Sequence, residues 1–244
     1  MAKPMPTLHQ PTADHIEPVK KTRSAELSRA RILEVARHEF LTHGLNGARV
    51  DRIAKDSSVN KNLIYHYFSS KDQLYLSVLE QIYADLRAQQ RDNELVEKPP
   101  MQAMTEFVGN TFDHFVETPD LIRLMSIENI HNARNLKNST TVKPLYADLL
   151  NTLSNILECG QREKIFRMNV DVVDLYLSIS ALAYFFLSNQ HTLSWLLDCN
   201  LVEKNRVKQR RQHVVDMVIN YLTHKSEDHG FGRRLNLVKK GIRK

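Results

Sequence analysis

The sequence predicts an all-α protein, a small three-helix unit at the N-terminus followed by a larger helical one. The 244 residues include only seven glycines, and tight β-turns are where glycine is most needed. No segment alternates apolar and polar residues with a period of two, whereas apolar side chains recur at three- and four-residue spacing along most of the chain. With 42% hydrophobic and 25% charged residues, the composition is that of a globular protein large enough to bury its own core.

Residues 1–22 are punctuated by Pro4, Pro6, Pro11 and Pro18 and read as a flexible arm. Helical signal begins near Arg23, with Ile32, Ala36 and Phe40 at i, i+4 and i+8, and stops at Gly44. A short helix over 49–56 has Val50, Ile53 and Ala54 as its apolar face. After a turn at Ser57 and Ser58, Asn60 is placed to cap a third helix running to Tyr67, its side-chain oxygen accepting a free first-turn amide. Ser70 and Gln73 have the S-x-x-Q spacing of a capping box. The long helix they open, over 71–91, carries Leu74, Val78, Ile82 and Leu86 at fourfold spacing. Pro99 and Pro100 allow a new start, with Met104, Phe107, Thr111 and Phe115 as its buried stripe, and Pro119 resets the chain again. Further helices are expected over 120–131, 142–159, 171–189 and 205–224. The division is therefore an arm (1–22), a helix-turn-helix domain (23–70), a helical domain (71–224) and a basic, disordered tail (225–244).

Several function classes are excluded. Cys159 and Cys199 lie far apart with no CxxC pair, so neither a disulfide framework nor a zinc site is written, and a reducing cytoplasm fits. The longest strongly apolar stretch, 175–187, falls short of the roughly 18 residues of a spanning helix, so no membrane partner is expected. His38 and His43 flank a run resembling a zinc-protease signature, but at i and i+5 they do not share a helix face. No phosphate-cradling glycine loop or nucleophile elbow occurs, so neither an enzyme nor a cofactor or metal is expected. Charge divides unevenly: Lys and Arg outnumber Asp and Glu by 11 to 7 over 1–70 and by 7 to 2 over 225–244, but trail by 16 to 19 between. A polyanion would be met by the two ends.

The pattern helix, short helix, tight turn, short helix, long helix over 31–79 is a helix-turn-helix, whose second short helix suits the major groove. That helix offers Asn60, Lys61, Asn62, Tyr65, His66 and Tyr67 as donors or acceptors, with Leu63, Ile64 and Phe68 facing inward. Lys71 stands where it can hold a phosphate together with the next helix's free amides. Lys20, Lys21 and Arg23 in the arm are within reach of the DNA backbone or minor groove, and the tail adds charge for nonspecific affinity.

Arg31, Ile32, Leu33, Ala36, Phe40, Gly44, Val50, Ile53, Ala54, Val59, Tyr65, Tyr67, Phe68, Ser70, Lys71 and Leu74 together resemble the DNA-binding domain of the TetR family of bacterial transcription regulators. The resemblance covers about a fifth of the chain. It implies a cytoplasmic, nucleoid-associated homodimer that binds a (pseudo)palindromic operator in double-stranded DNA, most simply as a repressor released by a small-molecule effector. Lys61, Asn62 and Tyr65 would meet bases or nearby phosphates, Arg49, His66, Tyr67 and Lys71 mainly phosphates, and Asn60 would replace the usual capping serine. Two positions depart from the pattern: Ser58 stands where glycine is common in the turn, and Ala48 where a threonine usually opens the second helix. Alternatives are an activator, a regulator controlled by a protein partner, or a helical adaptor that does not bind DNA.

By the same resemblance an effector pocket should lie within about 101–195, where Phe112, Phe115, Glu128, Asn129, Tyr146, Tyr184, Asn189, His191 and Trp195 are lining candidates or plain core. The stretch 120–129 resembles effector domains of the subgroup that contains pyrimidine-responsive regulators, without naming a ligand. The helix over 171–189 is apolar around nearly its whole circumference, which requires burial on all sides. Leu175, Ile179, Leu182 and Phe186 on it, with Val214, Val218 and Tyr221 on the last helix, are candidates for a subunit interface, a central core helix being the alternative.

Overall fold

The computed structural model describes residues 17–89, 95 and 97–224. Residues 1–16 and 225–244 of the expected arm and tail, and the Leu86 side chain, lie outside the described residues. Among the described residues there are α-helices, one 3-10 turn and no strand. The helices are α1 (Glu17–Gly47), α2 (Val50–Asp56), α3 (Lys61–Phe68), α4 (Lys71–Gln89), α5 (Pro100–Glu117), α6 (Pro119–Ile130), α7 (Val142–Arg162), α8 (Val172–Ser188), α9 (Gln190–Leu196) and α10 (Lys204–Thr223), with the 3-10 turn Leu136–Asn138 between α6 and α7. They form two compact units, Met1–Val78 and Leu79–Lys244. The division falls inside α4, eight residues beyond the Ser70/Lys71 boundary read from the sequence.

In the first unit α1 begins at Glu17 and takes in the backbone of residues 17–22, the last of the segment read as a flexible arm. Pro18, read from the sequence as part of the arm, sits in the first turn of α1, where a missing amide hydrogen leaves no bond unmade. Gly44 interrupts α1 with φ of +63°, a conformation that favours glycine, and its carbonyl accepts the Ala48 amide at 3.1 Å. The core consists of Ile32, Ala36 and Phe40 from α1, Ile53 from α2, Ile64 and Phe68 from α3, and Leu74 and Tyr75 from α4. Tyr75 lies off the expected fourfold stripe yet is fully buried. Its ring meets Phe40 edge-on, with centroids 5.0 Å apart.

In the second unit α5 is central, packing against α6, α7, α8 and α10 through Met104, Phe107, Val108 and Phe112. Asp171 caps α8 by accepting the amides of Val173 and Asp174, and Glu203 caps α10 through Asn205 and Arg206. Arg211 of α10 donates Nε–H to both Asp113 carboxylate oxygens at 2.8 Å. The expected all-round burial of α8 is not observed. Leu175, Ile179, Ala183 and Phe186 point inward, whereas Leu177 and Phe185 are 56% and 59% exposed. Nor does this helix continue into the next segment, because the path bends by 69° at Asn189 into α9. No single helix among the described residues is long and apolar enough to cross a membrane.

Candidate nucleic-acid interface

The geometry of α2 and α3 begins in the turn between them. Ser57 is fully buried, and its hydroxyl returns to the Ile53 carbonyl at 2.5 Å, ending α2. Ser58 adopts φ of +56°, so the position does need the left-handed conformation for which glycine is common, at a steric cost of about 1–2 kcal/mol. Its hydroxyl accepts from Arg31 Nη2 at 3.2 Å, which ties the turn to α1. Asn60 Oδ1 accepts the Leu63 amide at 2.7 Å, the cap read from the sequence. Ser70 Oγ accepts the Gln73 amide at 3.1 Å.

The α3 helix so placed has two faces. Ile64 and Phe68 are buried, while Lys61, Asn62, Tyr65 and His66 are exposed on the other side. Lys61 Nζ pairs with Asp51 Oδ1 of α2 at 2.8 Å; that hydrogen bond and the Asp51 charge hold its amine above the usual lysine value. Arg49 is exposed at the N-cap of α2. Two of the expected contacts are also tied into the fold. Tyr67 is half-buried and its hydroxyl donates to the Ala25 carbonyl at 3.2 Å. Lys71 Nζ donates to the Ala48 carbonyl at 3.3 Å, so the residue that replaces the usual threonine contributes its backbone to the site.

Glu39 is a positioning residue missed in the sequence. It is 7% exposed, and its Oε1 accepts the Arg49 amide and Arg52 Nε–H, both at 2.8 Å. The bond to Arg49 satisfies a free amide at the start of α2 that Ala48 cannot cap. Burial raises the Glu39 carboxyl pKa, but the hydrogen bonds from Arg52 and Arg49 and the charges of Arg52 and His43 outweigh it, leaving it below the usual glutamate value. The available signal was periodicity: Glu39 follows Ile32 by seven residues and lies on the same buried stripe.

The nine effector candidates of the second unit do not form one lining. Phe112 is fully buried and packs against Phe186 with centroids 6.2 Å apart. Glu128 is buried but occupied, accepting the Asn135 and Leu136 amides and the Asn135 side chain. Asn129 and His191 are exposed, Trp195 is 82% exposed, and Asn189 bonds the Phe185 carbonyl at the α8–α9 bend. Phe115, Tyr146 and Tyr184 join a group of aromatic rings. Phe115 stacks edge-on against Tyr184, and Tyr146 against both Tyr83 and Tyr176, while Ser126 Oγ lies 2.9 Å from the Tyr184 hydroxyl. Burial first, then the neighbouring Tyr176 and Glu128 charges, pushes the Tyr83 phenol up to about 12. A groove of about 430 Å3 lined by Phe185, Phe186, Leu193, Leu197, Arg206 and Arg210 contains none of the nine.

The interface candidates lie mostly on the inward faces of their helices. Leu175, Ile179, Phe186, Val214 and Val218 are buried within the unit, where no second chain can reach them, and Leu182 is half-buried. Of that set Tyr221 is exposed, at 48%, and Leu177, Phe185 and Met217 are the other exposed large apolar residues of α8 and α10. Both faces of these helices carry apolar side chains, so periodicity could not say which one α5 covers.

Comparison with known proteins agrees with this geometry. Residues 32–78 match the family profile described as "Bacterial regulatory proteins, tetR family", and residues 100–218 match "Tetracyclin repressor-like, C-terminal domain". The HTH-type transcriptional repressor NicS of Pseudomonas putida is 33% identical over 184 residues, 75% of this chain and 87% of NicS. The HTH-type transcriptional repressor SCO4008 of Streptomyces coelicolor is 36% identical over 108 residues, 44% of this chain and 53% of that protein. Among solved structures, the transcriptional regulator SCO4942 of Streptomyces coelicolor superposes with a TM-score of 0.60 at 28% identity, covering 81% of this chain and 99% of that one. With matches in both units and a two-faced α3 at the position of the recognition helix, the chain belongs to the TetR family of bacterial transcription regulators.

Proposed function

We propose that the protein is a ligand-responsive repressor of the bacterial cytoplasm that binds a (pseudo)palindromic operator as a homodimer, one α3 helix in each of two successive major grooves. The observation that carries this reading is the division of α3 into a buried Ile64/Phe68 face and an exposed Lys61/Asn62/Tyr65/His66 face. Repression is the activity that the names of NicS and SCO4008 state for those proteins. Dimerisation is assigned to the exposed apolar faces of α8 and α10, through Leu177, Phe185, Met217 and Tyr221, since apolar side chains left in water favour association. The effector is assigned to the tyrosine group around Tyr83, Tyr146, Tyr176 and Tyr184, whose phenols supply polar anchors in an apolar setting. A switch from almost all bound to almost all released requires about 5.5 kcal/mol of differential affinity.

The test is binding of the purified protein to DNA from upstream of its own gene, at two salt concentrations and beside a scrambled competitor. Saturable binding that resists the competitor is expected. Equal affinity for scrambled DNA, collapsing with salt, refutes the reading. A reporter behind the bound promoter separates repressor from activator, since repression requires expression to rise when the gene for this protein is deleted.

A further inference from the structure

The second unit carries a concavity separate from the tyrosine group. Where α8, α9 and α10 meet, Phe185, Phe186, Leu193, Leu197 and Leu201 line a groove of about 430 Å3, within the range of about 300–1,000 Å3 common for small-molecule sites. Its polar lining is Arg206, Gln209, Arg210 and His213 of α10, with no carboxylate. Phe185 is shared with the surface assigned above to a second subunit, whose other members, Leu177, Met217 and Tyr221, lie outside the groove.

Arg210 is half-buried in the groove wall. Its Nη2 donates to the Leu182 carbonyl at 2.9 Å, and its guanidinium lies 5.5 Å from the Phe186 ring centroid. Its Nε–H is shielded from water and has no acceptor among the described residues. Burial holds its pKa below the usual arginine value, with no carboxylate to offset it. The next residue, Arg211, does have a counter-ion, the Asp113 carboxylate. Arg206, one turn before Arg210 on the same face of α10, is exposed beside the same apolar walls. A partly desolvated guanidinium without a counter-ion costs free energy that an incoming anion would recover.

We propose that this groove binds a small amphipathic carboxylate, its apolar body against Phe185, Phe186, Leu193 and Leu197 and its head paired with Arg210 and Arg206. The planar fork of arginine matches a carboxylate through parallel hydrogen bonds, and burial of an apolar body supplies affinity that a bare inorganic anion lacks. The basic segment 225–244, with seven Lys and Arg against two acids, is repelled by the same arginines and is not the occupant.

The test is titration calorimetry of the full chain, without DNA, against decanoate, decanol and decylammonium below their micelle concentrations. The three share a chain and differ in the charge of the head. Decanoate should bind saturably, one per chain, and at least about tenfold more tightly than decanol, the discrimination expected of a charge-assisted hydrogen bond; decylammonium should not bind. Arg206→Gln, at an exposed position, and Arg210→Lys, which keeps the charge but loses the fork, should each narrow the ratio of decanoate to decanol affinity. Leu197→Asp should abolish decanoate binding while the protein stays folded. Equal affinity for decanoate and decanol overturns the inference, as does an absence of saturable binding or a ratio that survives both arginine changes. If no probe binds and Leu197→Asp converts a dimer into a monomer, the occupant is a second copy of the chain and the inference falls. With no DNA present, its failure leaves the role proposed for α3 untouched.

Discussion

Two positions of α3, only two residues apart, should respond to truncation in opposite ways. Asn62 is exposed and Ile64 is 1% exposed. Asn62→Ala removes an exposed side chain, so the change in stability should stay within about 0.5 kcal/mol. On DNA the proposed role of α3 predicts that the same change removes one base contact per half-site, at about 1–3 kcal/mol each. A dimer using two copies should lose about 2–6 kcal/mol, or about 30-fold to about 2 × 10^4-fold in affinity. Ile64→Ala instead leaves a cavity in the core of the first unit and should cost about 2–5 kcal/mol of stability, a large share of a typical total of about 5–15 kcal/mol. The assay pairs fluorescence anisotropy on selected and scrambled duplexes at fixed salt with thermal melting of each variant. An Asn62→Ala protein that keeps the wild-type ratio of selected to scrambled affinity refutes the assignment of the outer face. One that melts as early as Ile64→Ala refutes the division of the helix itself.

Glu39 should make the first unit sensitive to acid. Its carboxyl pKa is depressed below 4.5, so its contribution to stability is fully present above that pH and is lost as pH falls through the lower folded value. The stability gap between wild type and Glu39→Gln, followed by denaturant melts, should therefore be widest above pH 4.5 and narrow below it; a constant gap argues against the Arg52 and Arg49 contacts. Gly160→Ala should destabilise the second unit although alanine favours helix by about 1 kcal/mol, because the added Cβ would overlap the buried Phe166 ring at a cost of about 1–3 kcal/mol; a higher melting temperature contradicts that packing. The double variant Phe185→Asp, Met217→Asp should sediment as a folded monomer, and a dimer that persists would move the interface off α8 and α10.

Much of the first unit was legible in the sequence because its determinants are local. A cap at Asn60 needs only the amide three residues on, Gly44 needs only its own φ, and the alternation along α3 of polar residues with Ile64 and Phe68 is written within eight positions. What was missed there depends on distant partners. The buried carboxylate of Glu39 makes sense only once Arg49 and Arg52 are brought to it, and Tyr67 joins the packing through Ala25, 42 residues earlier.

The helical class, the helix-turn-helix and the residues available to meet DNA are readable along the chain, since helix periodicity, capping and turn chemistry act over a few residues. Which face of α8 and α10 is core, and how the aromatic candidates scatter between core, surface and one tyrosine group, emerges only from packing between distant segments. A helix apolar on both sides carries no local record of the neighbour that will cover it. That choice belongs to long-range packing, where α5 claims the Leu175, Ile179 and Phe186 side of α8 and leaves Leu177 and Phe185 in water.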